Sequence, residues 1–172
     1  VLGEPEPWMA RLIEAEHALA NGDPQGFLSL NSAALEEAPA IAGKINDEPF
    51  KWLADADQRF GPAFEMMFNQ HYYWVPAARV RSIKIEAPSD LRDLIWLPAE
   101  VTWDNGGQAM VMMPARYPNL EAADGQGLLG RHTDWRVVDA DSELMEGIGQ
   151  RIFATDAGDY PLLQVRSIEF DT

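Results

Sequence analysis

Two regimes of apolar spacing divide the chain near residue 40. Before it, apolar residues recur every three or four positions; after it, they alternate or form short runs bounded by turn residues. Trp8, Leu12, Ala15 and Leu19 predict a helix from Pro7 to Ala20. Glu4-Pro5-Glu6-Pro7 delays its start to the last proline, and Asn21-Gly22 supplies the stop. Asp23-Pro24 opens a second helix, with Asp as N-cap and proline at the first helical position. Phe27, Leu30, Ala34, Leu35 and Ala38 form its apolar stripe, which ends by Pro39. Two amphipathic helices joined by a tight glycine turn make an αα-hairpin.

From Arg59 to Glu86 the pattern is that of strands. Gly61-Pro62 punctuates the start, and Phe64, Met66 and Phe68 alternate with Glu65 and Met67. Asn69-Gln70 is read as a two-residue turn, although Gln is a poor residue for its second position. His71 to Val75 is bulky on both faces, which predicts a strand covered on both. Ile83 and Ile85 alternate with Ser82, Lys84 and Glu86, a half-solvated strand. Lys44-Ile45 turning through Asn46-Asp47 into Phe50-Lys51-Trp52 reads as an earlier β element. Asp55, Asp57 and Arg59 read as a solvated charged loop, Arg59 screening the carboxylates.

Beyond Glu86, Ser89-Asp90 caps a helical turn through Leu94, and a strand runs from Ile95 to Trp103. Asn105-Gly106-Gly107 is the strongest hairpin signal, returning through Gln108 to Met113. Tyr117 to Leu129 is polar, glycine-rich and unpatterned, and reads as a long surface loop. Strands are expected at Thr133–Val138, Gln150–Thr155 and Leu162–Phe170, with an acidic tip at 139–143 and a helical turn at 142–146. Leu163 and Val165 are out of phase with Ile168 and Phe170, which predicts a β-bulge near Arg166-Ser167. The fold class is α+β: an αα-hairpin over residues 1–40, then a mainly antiparallel, barrel-like β domain of about eight short strands over 41–172.

Charge and composition narrow the function. The 172 residues carry 13 basic and 28 acidic side chains, a net charge of −15. That balance disfavours nucleic acid and anionic membranes, whose phosphates need Lys and Arg. With no cysteine, thiolate metal sites, disulfides and cysteine nucleophiles are excluded. No run approaches a membrane span and no signal peptide opens the chain, so the expected compartment is the cytoplasm.

Candidate chemistry is sparse. His17, His71 and His132 lack zinc-site spacing. The run from Asp139 begins like a calcium loop but has Leu144 where glycine belongs and Gln150 where the bidentate glutamate belongs. His132-Thr133-Asp134 has no nucleophile elbow, and three consecutive strand residues cannot face one another. Gly125-Gln-Gly127 and Gly147-Ile-Gly149 lack the context of a phosphate loop. Neither catalytic residues nor a cofactor or metal site is expected. Six tryptophans and seven methionines remain as core or as an adaptable peptide-binding surface.

Seven segments in order carry a resemblance: Leu2-Gly3-Glu4-Pro5, Trp52 to Asp57, Arg59-Phe60-Gly61-Pro62, Tyr72 to Pro76, Asp90 to Ala99, Arg116-Tyr117-Pro118 and Tyr160 to Leu163. Together they resemble the ImpE family, also called TagJ or SciE-type virulence proteins, accessory components of bacterial type VI secretion. Departures are Gln70 where the family pattern has glycine, and Ala77-Ala78 in place of a bulkier pair. The resemblance implies further helices ahead of this chain, the hairpin being their tail. It also implies a non-enzymatic adaptor that binds the N-terminal segment of the small sheath subunit TssB and links it to the AAA+ ATPase ClpV. Which residues form the docking groove the resemblance does not give. From their helical spacing Trp8, Leu12, Phe27 and Leu30 are the expected partner-binding residues, read either as a partly open stripe suited to helix docking or as the seam that holds the hairpin together. The alternative is a small-ligand-binding or enzymatic β domain with a pocket joining buried carboxylates.

Overall fold

The computed structural model describes residues 3–118, 123–139 and 144–171. The hairpin forms as its capping residues dictate: α1 spans Pro7–Ala20 and α2 spans Pro24–Glu37. The Asp23 carboxylate accepts from the Gly26 amide at 2.8 Å, and Gly22 takes φ +78° in the connection. Neither helix, nor any other described one, is long and apolar enough to cross a membrane.

Thirteen strands follow among the described residues, more than the eight expected, because turns divide the apolar runs into three- and four-residue pieces. They are β1 (Gly43–Ile45), β2 (Glu48–Phe50), β3 (Leu53–Asp55), β4 (Ala63–Phe68), β5 (His71–Pro76), β6 (Val80–Ile85) and β7 (Trp96–Trp103). Then come β8 (Gln108–Pro114), β9 (Thr133–Val137), β10 (Met145–Gly149), β11 (Ile152–Thr155), β12 (Asp159–Pro161) and β13 (Ser167–Phe170). One short helix, α3 (Gly125–Leu128), precedes β9. Every strand pairing is antiparallel.

Eight strands form one sheet in the order β2-β1-β13-β6-β7-β8-β4-β5. It does not close into a barrel. β2 and β5 remain edges, and both carry prolines (Pro49 and Pro76) that have no N–H to donate to a further strand. The three-stranded sheet β12-β11-β3 contributes Leu53 and Phe153 to the apolar core of the large sheet, beside Phe64, Ile83, Val101 and Ile168. The core is thus a filled space between two sheets rather than a barrel interior.

Three other expectations change. β5 is covered only at its far end: Val75 and Pro76 are buried, whereas Tyr72 is 50% exposed. The reason is its place at the sheet edge, where α1 reaches Trp74 but not the start of the strand. The bulge expected near Arg166 is instead a 3-10 turn at Leu162–Gln164, which resets the facing so that Leu162, Val165, Ile168 and Phe170 are all buried. An irregular register does occur in β6, between Val80 and Ser82. The helical turn expected at 142–146 gives way at Met145 and Glu146 to β10, whose five residues pair with β9; positions 142 and 143, like the rest of the acidic tip from 140, lie outside the described residues.

Asn69-Gln70 does make the two-residue turn, with φ of 50° and 65°. Both values are left-handed, the signature of a type I′ hairpin, and Gln carries a Cβ penalty there. Gln70→Gly is therefore expected to raise unfolding free energy by about 0.5–1 kcal/mol in urea titration.

Candidate functional site

The segment linking β3 to β4 folds back through its own carboxylates. The Asp57 amide donates to Asp55 at 2.9 Å and the Arg59 amide to Asp57 at 3.1 Å. Asn31 of α2 anchors the loop from outside by donating to the Gln58 carbonyl at 2.9 Å. The loop is not solvated, as its composition suggested: Asp55, Asp57 and Arg59 are all buried. Arg59 is the partner of Asp57, gripping both its oxygens at 2.9 and 2.5 Å, and its remaining nitrogen reaches Glu146 of β10 at 3.1 Å. The Gly147 amide donates to Asp57 at 2.8 Å. Glu146 is shared with Arg136 of β9.

A second guanidinium completes the cluster. Arg151 lies 3.1 Å from Asp55, pairs with Glu65 of β4, and stacks 4.6 Å from the Phe60 ring centroid. Tyr117 donates its hydroxyl to Asp55 at 2.8 Å and is almost fully buried, at odds with a surface loop starting there. Within that stretch Gly125–Leu128 is helical, capped by Asp124; residues 119–122 lie outside the described residues. With Glu16 of α1, five carboxylates (Glu16, Asp55, Asp57, Glu65, Glu146) face three guanidiniums (Arg59, Arg136, Arg151).

Burial governs the protonation of two of these carboxyls. Burial pushes the Asp55 carboxyl up to about 7, with Arg151, the Asp57 amide and Tyr117 pulling the other way. Burial likewise pushes Glu16 up to about 7; Arg59 opposes it, while Asp57 and Glu65 add to it. A carboxyl whose native pKa lies above its unfolded value binds more protons in the native state. These two groups therefore favour folding most at the acid end of the window from about pH 4 to 7, and that contribution is lost as pH rises through 7. Asp93, Asp124 and Asp156 are shifted down by backbone hydrogen bonds, so their contribution fails only below the ordinary carboxylate range. Thermal unfolding is expected at a higher temperature at pH 5.5 than at pH 8, and Glu16→Gln should narrow the difference; a flat or reversed profile would contradict the assignment.

Two hollows flank Tyr72 on the sheet face above this cluster. One, of about 440 Å³, lies between α1 and β5 and is lined by Ile13, Glu16, His17, Ala20, Tyr72 and Trp74. The other, of about 240 Å³, is walled by Tyr72, Ile95, Trp96 and Pro114 and has Glu65, Tyr117 and Arg151 among its lining residues. Strand register sets Tyr72, Met67, Met112 and Pro98 opposite one another in a row across β5, β4, β8 and β7. None of the four is buried, and neighbouring Met110 is 66% exposed. Methionine and aromatic side chains in an open row form an adaptable apolar surface.

Comparison with known proteins places this architecture. Residues 47–169 match the ImpE protein family, covering β2 through most of β13. The chain belongs to the ImpE family. It is 45% identical, over 99% of its length, to the type VI secretion system accessory component TagJ of Pseudomonas aeruginosa, of which it spans 59%. The crystal structure of protein VPA1032 from Vibrio parahaemolyticus superposes with a TM-score of 0.89 at 25% identity, over the whole of this chain and 64% of that one.

Against this ImpE fold, the stripe expected to bind a partner is not a groove. Trp8, Leu12 and Phe27 are buried, and only Leu30 is half-exposed. Trp8 and Leu12 pack with Met9, Ala34, Ala63 and Trp74, while Phe27 packs with Ala15 and Leu144. The β part of the chain itself covers the stripe. The histidines are dispersed in role: His17 lines the α1–β5 hollow, and His71 contacts the Asn69 carbonyl at 2.7 Å. His132 does meet Asp134, at 2.9 Å, since residues two apart share a strand face, but Thr133 turns away to donate to the Gln150 carbonyl.

Proposed function

We propose that this chain is the β-rich portion of a type VI secretion accessory component that acts as an adaptor rather than an enzyme. Its partner is the N-terminal segment of the small contractile-sheath subunit TssB, which it connects to the AAA+ ATPase ClpV that disassembles the contracted sheath, in the bacterial cytoplasm. Support comes from membership of the ImpE family and from 45% identity to the Pseudomonas accessory component. The observation that carries the binding mode is the open row Tyr72–Met67–Met112–Pro98 with a hollow on either side of Tyr72. A short amphipathic segment laid on this row would bury apolar surface at a face that the described residues leave partly exposed.

A catalytic or small-ligand pocket is less well supported. The hollow above the charge cluster is lined by one carboxylate, Glu65, and that group is held by Arg151 and by the Tyr72 hydroxyl. Calorimetric titration with a peptide covering the N-terminal segment of the small sheath subunit tests the reading. Saturable heat is expected, with Met112→Glu weakening it by about tenfold, the loss of one interface hot spot. Heat from neither this chain nor the full-length Pseudomonas relative would contradict the adaptor reading. Heat from the relative alone would remove the site from the Tyr72 face.

A further inference from the structure

The hollow between α1 and β5 is built from two kinds of group. Ile13 and Ala20 give it apolar sides, and the Tyr72 and Trp74 rings stand against them. Those rings are locked: the Trp74 indole N–H donates to the Tyr72 oxygen at 2.7 Å, and the Tyr72 hydroxyl donates to Glu65. Into this space α1 places Glu16, one of whose oxygens is buried with no hydrogen-bond partner among the described residues. The cation that Glu16 feels, Arg59, is already held by Asp57 and Glu146. A buried carboxylate oxygen without a donor costs free energy until one arrives. The surrounding field also favours a positive charge, since the cluster has five carboxylates to three guanidiniums and the whole chain carries −15.

We infer that the α1–β5 hollow receives the side chain of a lysine or arginine from a partner segment. Its charged head pairs with Glu16, and its aliphatic stem lies along Ile13 and Ala20 beside the Tyr72 and Trp74 rings. An anionic side chain would meet the acid surplus, and a purely apolar one would leave the Glu16 oxygen unpaired. The inference rests on the adaptor reading for the existence of a partner, and it specifies the chemistry of that partner's contact: a basic anchor at the α1 end of the apolar row.

Its test does not need the partner. NMR titration of the ¹⁵N-labelled chain with n-butylammonium, with n-butanol as the neutral control, is expected to give saturable shifts at the Trp74 indole and at the amides of residues 16–17 and 72–74. Butanol and the Glu16→Gln variant should each bind about tenfold more weakly, the worth of one charge-assisted hydrogen bond. Tyr72→Leu, at a half-exposed edge position, should weaken the amine similarly while keeping a native spectrum. Equal shifts with butanol and butylammonium, amine binding unchanged in folded Glu16→Gln or Tyr72→Leu, or no saturable shift at these positions would each overturn the inference. Amine binding without sheath-peptide heat would leave this site standing and remove only the proposed identity of the partner.

Discussion

Replacing Arg151 with methionine is expected to lower unfolding free energy by about 3–5 kcal/mol, the range for removing one partner of a buried ion pair. The side chain is 2% exposed and pairs with two carboxylates, Asp55 and Glu65, that would lose their counter-charge. Methionine fills much of the same volume, so the loss would be electrostatic rather than a cavity effect. Adding Asp55→Asn to the same chain removes one stranded charge and should recover part of the stability. Urea midpoints of wild type and the two variants give the comparison; a single-variant loss below about 1 kcal/mol would mean that Arg151 is solvated and only a surface pair is being broken. The burial of the cluster explains why so large an effect is expected from residues of a type normally found at the surface.

A second large effect is expected at Leu12→Asp, which should prevent cooperative folding of the whole chain rather than loosen the helices alone. Leu12 is fully buried between Trp8, Met9, Ala34 and Ala63. Truncation to alanine at such a site costs about 2–5 kcal/mol. Aspartate adds a carboxylate with no partner in an apolar cluster, enough to exhaust the stability of a domain held by about 5–15 kcal/mol. Because Ala63 of β4 and Trp74 of β5 share that cluster, hairpin and sheet should unfold together. Leu30→Asp, on the half-exposed rim of the same hairpin, should cost no more than about 1 kcal/mol. Circular dichroism melts separate the cases, and a Leu12→Asp chain melting like wild type would show that the stripe is open after all.

The contrast between these two leucines shows where sequence reading succeeds and where it stops. Both lie on the apolar side of a helix, and periodicity alone gives them the same standing. What separates them is Ala63 and Trp74, which β4 and β5 bring into the cluster around Leu12 from far along the chain. Local signals were reliable where the physics is local. Pro7, Asn21-Gly22 and Asp23-Pro24 set the helix ends, and Asn46-Asp47, Asn69-Gln70 and Asn105-Gly106-Gly107 set the tight turns. The charge cluster was illegible for the opposite reason. Arg59 and Glu146 are 87 residues apart, and Asp55 and Tyr117 are 62 apart, so no window contains both partners. The one local clue was the spacing Asp55-x-Asp57-x-Arg59, in which each side chain can reach the amide two residues on. Read that way, it marks a tightly chelated turn rather than a solvated loop. The exposed row through Tyr72 was hidden in the same sense, because it exists only once register places Met67, Met112 and Pro98 beside it.

Hydrogen exchange of this chain, alone and saturated with the sheath-subunit peptide, tests the central claim most directly: the partner contacts the open sheet face around Tyr72. Protection is predicted at β5 and at the strands bearing Met67, Met112 and Pro98, spreading to the α1 turn that holds Glu16. Protection confined to α2 and the buried Trp8–Leu12–Phe27 stripe, with β5 unchanged, would contradict it.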